Sequence, residues 1–127
     1  MKTKSDPRHL NRVKDVKYLF EKVFRNGFQP PKNSQAGRVL EHQKAIDKLI
    51  IQNAPAWPIS QIAPVDLATL RLAIWELLFN TKKEPHKVVV DEAVEIAKEF
   101  GSESSPKFVN GVLGSIISSK LKGQISK

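Results

Sequence analysis

The sequence predicts an all-α protein of five to seven helices, and three observations carry that prediction. Apolar residues recur at helical spacing through most of the chain. Prolines and glycines cut that pattern into pieces of ordinary helix length. No stretch alternates with the two-residue period of a half-buried strand. The 127 residues are enough for one domain with a real core, and the expectation is a single domain over 1–127 with a basic N-terminal arm at 1–12.

Asp6 and Pro7 announce the first helix, where Leu10, Val13, Val16, Phe20, Val23 and Phe24 mark an apolar stripe of about five turns ending near Gly27. The stretch FQPPKNSQAG reads as a linker, because Pro30 and Pro31 cannot continue a helix. A second helix is expected from Arg38 to about Ala54 on Val39, Leu40, Ile46, Leu49 and Ile50. Pro55, Pro58 and Pro64 then divide the chain into short pieces around Trp57 and Ile62. From Pro64 to Asn80 apolar residues fall on nearly every side, the pattern of a helix surrounded by others. Arg71 and Glu76 lie within it, and unpaired charge there would be costly, so both are expected to have partners.

The last third holds two more helices. Val89, Ala93, Ile96, Ala97 and Phe100 form the apolar face of one, while Asp91, Glu92, Glu95 and Glu99 read as a solvated face. Gly101 is expected to end it at positive φ. Ser105 as N-cap and Pro106 at the first helical position open the other, whose face is Phe108, Val109, Val112, Leu113, Ile116 and Ile117. Gly111 and Gly114 inside that helix each cost about 1 kcal/mol relative to alanine, which points to close packing against another helix. Asn110 reads equally as a buried amide that fixes a helix-to-helix contact.

Charge is unevenly placed. The formal net charge is +8. Residues 1–26 carry eight cations against three acids, and the tail after Gly101 carries four against one. A basic end on a near-neutral scaffold points to a polyanion, since each cation that neutralises a phosphate releases counterions. Lys2 and Lys4 on a lead-in, with Arg8 and Arg12 on one face of the first helix beside His9, suit RNA phosphates and splayed bases. The bland alternative is a solvated helix face.

Several classes are disfavoured. With no cysteine there are no disulfides and no thiolate metal sites. The segment MKTKSDPRHLNR is too polar for the core of a signal peptide, and no apolar run approaches membrane-spanning length, so a cytoplasmic protein is expected. His9, His42 and His86 have no metal-binding spacing, and there is no phosphate-binding glycine loop or nucleophile elbow. No catalytic residue, metal or cofactor is expected.

One segment resembles a known family. Pro85, Lys87, Val88, Val90, Asp91, Glu92, Ala93, Val94, Glu95, Ile96, Ala97, Lys98, Phe100, Gly101, Ser105 and the string Lys107-Phe108-Val109-Asn110-Gly111-Val112-Leu113 follow the pattern of the NusB transcription antitermination factors. Leu70, Arg71, Leu72, Ala73, Glu76 and Leu77 resemble the family's preceding helix. The strong match runs from about residue 64 to 114, and the N-terminal half matches loosely.

The resemblance implies two small packed helical bundles sharing the central helix. It implies binding of a boxA-like single-stranded RNA together with NusE, a ribosomal small-subunit protein, in the service of an RNA polymerase elongation complex reading through terminators, notably in ribosomal RNA operons. Arg8 and Arg12 fall where two arginines of an RNA-binding segment would be, whereas His9 and Leu10 replace others. Phe20 aligns with a family aromatic at the RNA surface, and core packing is the competing reading. Lys107 and Phe108 form a corner beside the RNA arm, Lys107 being the better functional candidate. Asp66 aligns with an acid near the junction of RNA and protein partner, and reads equally as a helix-dipole charge. The resemblance also leaves room for a homodimer that covers the RNA surface. Two other readings stay open. One is the RNA-binding part of a ribosomal RNA cytosine methyltransferase, against which the chain ends soon after KFVNGVL. The other is a helical interaction module whose basic arm only aids solubility.

Overall fold

In a computed structural model, residues 6–125 are described, with side chains as far as residue 120. Lys2 and Lys4 lie outside the described residues. Among the described residues there are six α-helices and one short 3-10 turn, and no strand.

Helix α1 (Pro7–Phe24) starts where the sequence predicts. Asp6 accepts the backbone N–H of Arg8 at 2.8 Å, which satisfies one of the free amides of the first turn. Its rotation differs from the predicted apolar stripe. His9, Arg12 and Asp15 are buried with Val16 and Leu19, while Leu10 is 50% and Phe24 63% exposed. The reason lies on the helices that α1 covers. Glu76 and Glu92 are buried there, and two carboxylates in a core require cations and donors more urgently than two exposed apolar side chains require cover.

Where one helix is expected from Arg38, the chain forms two, α2 (Gln35–Glu41) and α3 (Gln43–Asn53). The start moves earlier because two side chains serve its first turn. Ser34 Oγ accepts the N–H of Gly37 at 3.2 Å, and buried Asp15 reaches from α1 to accept that of Ala36 at 3.1 Å. Gly37 sits in a tight place, since a Cβ there would stand 3.1 Å from the Pro31 carbonyl oxygen. The break falls at His42, whose backbone leaves the helical region at φ −113° and ψ 16° and whose ring stacks on Phe79 at 4.5 Å.

After a 3-10 turn (Ile59–Gln61) comes α4 (Pro64–Leu78), buried without interruption from Asp66 to Leu77. Helices α1, α2 and α3 pack on it as one bundle, and α5 (His86–Phe100) and α6 (Ser105–Ile125) pack on it as the other. Leu19, Ile46, Leu70, Ile74, Ile96 and Leu113 are fully buried around it, each contributing about 1.5–3 kcal/mol relative to exposure. Arg71 has its expected partner. Its guanidinium donates to both oxygens of Asp47 at 2.9 Å each, a two-pronged bond that ties α4 to α3.

Three expectations for the last third are corrected. Gly101 ends α5 at φ −94°, not at positive φ. It is needed because a Cβ would fall 2.6 Å from the Ser105 side chain and 2.7 Å from the Ala97 carbonyl. Gly111 and Gly114 have open space where a side chain would be, so no helix packs closely on them among the described residues. Glu92 is not on a solvated face. It is 1% exposed and directed into the interior.

Candidate nucleic-acid interface

The first turns of α1 are expected to present Arg8 and Arg12 side by side to solvent. The helix instead places them in different environments. Arg8 is exposed, its guanidinium 3.4 Å from Asp6, and with Asn11, Arg38 and Lys82 it lines an open polar groove of about 380 Å³. Arg12, one turn on, is only 7% exposed. Its Nε and Nη2 donate to the two oxygens of Glu76 at 2.9 and 2.8 Å, its Nη1 to Glu92 at 3.2 Å, and Nη2 also to Glu84. Burial works against the charged guanidinium, but the bonds and charges of Glu76 and Glu84 outweigh it and hold the proton more firmly than in water.

His9 is buried in the same cluster. Its Nδ1 lies 3.3 Å from Glu92 and its Nε2 3.4 Å from Glu99, so the ring bridges two turns of α5. The donors of Arg12 and both ring nitrogens of His9 are thus directed at carboxylates. What they do is fix the N-terminal half of α1 across α4 and α5, beneath the open groove. The sequence signal for this cluster is Glu76, an acid in the most apolar helix. Sequence reasoning expects a partner for it without identifying which; it misses Glu92 because a helical wheel alone leaves it on an outer face, and Glu84 because it lies in the loop before α5.

Helix α1 runs antiparallel to α4. Arg12 meets Glu76 near the end of α4 while Lys17 reaches Phe100 at the end of α5, next to Ser102 beside the start of α4, so the C-terminal half of α1 heads toward the start of α4. On this half Phe20 is half-buried, packed edge-to-face with Phe24 at 5.0 Å. It serves the core and the surface at once. Nearby, the Lys17 ammonium sits 5.6 Å over the ring of Phe100, at the end of α5. Sequence reasoning does not pick out Lys17 and Phe100, since their contact joins positions 83 residues apart.

At the start of α4 the remaining candidates come together. Asp66, Lys107 and Phe108 line one open cavity of about 440 Å³, with Trp57, Gln61 and Ser102. Lys107 is exposed in the first turn of α6, and Phe108 is half-buried with its ring edge-on to Trp57 at 6.5 Å and 77°. Asp66 is 6% exposed, and its Oδ1 has no hydrogen-bond partner among the described residues. Burial raises its carboxyl pKa above the ordinary value, and hydrogen bonding by Ser105 partly offsets this. Asp66 and Glu76 are ten residues apart on α4, about 15 Å along its axis. The groove of Arg8 and the cavity of Asp66 therefore lie at opposite ends of the central helix. Asn110 is exposed on α6, which removes its reading as a buried amide.

No described helix is long and apolar enough to cross a membrane. No group of three or more His, Asp or Glu able to hold a metal ion occurs among the described residues.

The chain is similar to known proteins over most of its length. A family model described as the NusB family matches residues 33–118. The transcription antitermination protein NusB of Chloroflexus aggregans is 51% identical over 78 residues, which cover 61% of this chain and 52% of that protein. The chain thus spans about half the length of the curated relatives it matches. Among solved structures, NusB of T. maritima superposes with a TM-score of 0.76 at 36% identity, covering 91% of this chain and 92% of that one. A NusB crystallised with NusE and double-stranded RNA shares the fold, with a TM-score of 0.67 at 22% identity over 90% of this chain and 99% of that one. With five described helices gathered around buried α4 and a family match over more than half its residues, the chain belongs to the NusB family.

Proposed function

We propose that this protein is a transcription antitermination factor. It holds a boxA-like single-stranded RNA together with the ribosomal protein NusE, acts in the cytoplasm on the RNA polymerase elongation complex, and promotes read-through and ribosomal RNA transcription. One observation of this chain carries the reading beyond family membership. Exposed Arg8 stands on a helix clamped by the Arg12 cluster, so this cation is offered to a polyanion from a fixed base. That a related NusB has been crystallised with NusE and RNA supports both partners.

The chain acts here by assembly, not by chemistry. Arg8, Lys2 and Lys4 meet phosphates, Phe20 offers a ring to a base, and Lys107 and Phe108 hold the strand near α6. Arg12 and His9 act through the position of α1. Two weak contacts on one RNA–protein assembly gain affinity because the second binding event is intramolecular.

The test is a fluorescence-anisotropy titration of labelled boxA-like RNA and a scrambled strand, with and without NusE, at several salt concentrations. The expected result is a preference for the boxA-like strand that NusE strengthens. Equal, steeply salt-dependent binding to both strands, unchanged by NusE, would reduce the basic end to an electrostatic tether.

A further inference from the structure

The groove at the C-terminal end of α4 carries charge that the fold does not use. Its walls come from α1, α2 and the segment after α4, and no apolar side chain lines it among the described residues. That sets it apart from a small-molecule pocket, which is mostly apolar. Arg8, Arg12, Arg38 and Lys82 face it against Glu76 and Glu84. Buried Arg12 already takes both acids, so the depth of the groove is neutralised and the excess positive charge stands on its rim. Arg38 and Lys82 are exposed and enter no ion pair among the described residues. Like charges gathered on one rim repel each other, and an anion laid between them relieves that repulsion.

We infer that this groove carries the phosphate backbone of RNA that continues past the boxA-like element, with Arg38 of α2 and Lys82 of the segment after α4 as the residues that hold it. The inference rests on the RNA-binding reading above and adds where the strand leaves the site and what grips it there.

Continuity and chemistry both favour RNA. Arg8 belongs to the surface of α1 and to the rim of the groove, so a strand that meets Arg8 and runs on past the end of α1 enters the groove. A nucleic-acid chain has a charge on every unit, which lets cations from three separate elements each meet a phosphate of one strand. The amides of Asn11, Gln35 and Asn80 line the same groove. Each amide both donates and accepts, as contact with 2′-hydroxyls and base edges requires. An acidic protein segment would also suit the cations. Its carboxylates would gain less from the amides, because a carboxylate only accepts. Sequence reasoning does not find Arg38 and Lys82, since they lie 44 residues apart and only the fold puts them on one rim with Arg8.

The experiment uses the full chain with NusE and three labelled strands: one confined to the boxA-like element, one extended by eight uridines at its 5′ end and one extended by eight at its 3′ end. Affinity is read by anisotropy at several salt concentrations, for the parent and for a variant carrying both Arg38→Gln and Lys82→Gln. The groove lies on one side of the site, so one extension and not the other should bind the parent at least about fivefold more tightly than the short strand. Its slope of log affinity against log salt should be steeper by about 1.4, near 0.7 for each of the two phosphates. The variant should lose this gain and bind the short strand as the parent does, with its melting temperature unchanged. The comparison of the three strands on the parent keeps the test valid if the variant folds poorly. An equal gain from both extensions, a gain from neither, or a gain that survives in the variant would overturn the inference and leave the RNA-binding reading standing. Absence of binding to every strand at low salt would overturn both. If neither extension helps and the variant weakens only NusE, the groove serves an acidic protein segment and the inference is wrong.

Discussion

Two arginines one turn apart on α1 have opposite duties. Arg12 is buried against Glu76 and Glu92 and also meets Glu84, so its removal takes away the cation that faces buried Glu76. Arg12→Ala is expected to cost about 3–5 kcal/mol of stability in urea denaturation. Arg8→Ala, whose ion pair with Asp6 is exposed and screened by solvent, should leave the urea midpoint nearly unchanged, while lowering RNA affinity. Similar losses for the two would contradict the assignment. Asp66 gives a pH signature. A carboxyl whose folded-state pKa is raised binds its proton more tightly in the fold than in the unfolded chain. Its contribution is therefore complete below the unfolded value of about 3.9 and is lost as pH rises through the folded one. Asp66→Asn should then melt higher than the parent at pH 7, with the gain vanishing as pH falls below about 3.9. Sequence reasoning reaches the identity of most of these residues but not their exposure. Basic residues clustered near a terminus look solvated, and only the fold shows that Arg12 and His9 face buried carboxylates from α4 and α5.

At the scale of helices, local signals are sufficient where caps and breakers are short-range. The Asp6-Pro7 start of α1 and the all-round apolar pattern of α4 are legible for that reason. The early start of α2 and its division from α3 are not, because the first depends on Asp15 reaching over from α1 and the second on His42 stacking against Phe79. Asp15→Ala should accordingly cost about 1–3 kcal/mol, visible as a lower urea midpoint. The environment of Gly111 and Gly114 escapes the sequence from the same cause, since a glycine's neighbours belong to tertiary structure. With open space at both positions, Gly111→Ala should stabilise the protein by about 0.5–1 kcal/mol through helix propensity alone. A loss of stability would mean that α6 packs there after all. If the variant is more stable yet binds NusE less well, the open face of α6 is where that partner comes close.

Across the whole molecule, α4 acts as a ruler. The Arg8 groove stands over its C-terminal end and the Asp66 cavity at its start, with Phe20, Lys17 and Phe100 on the surface between. A single RNA strand following α1 would meet cations first, then rings, then the cavity. The resemblance in residues 64 to 114 points to the second half of this path. The first half depends on the loosely matching N-terminal helix and on an arm outside the described residues. The measurement that tests the account most directly is the salt dependence of RNA binding by the parent protein and by a variant with Lys2, Lys4 and Arg8 all changed to glutamine. If these cations neutralise phosphates, the slope of log affinity against log salt should become shallower by about 2, near 0.7 for each phosphate of a single strand that is no longer neutralised, with the melting temperature unchanged. An unaltered slope and affinity would contradict the account, and RNA would then have to bind elsewhere on the protein.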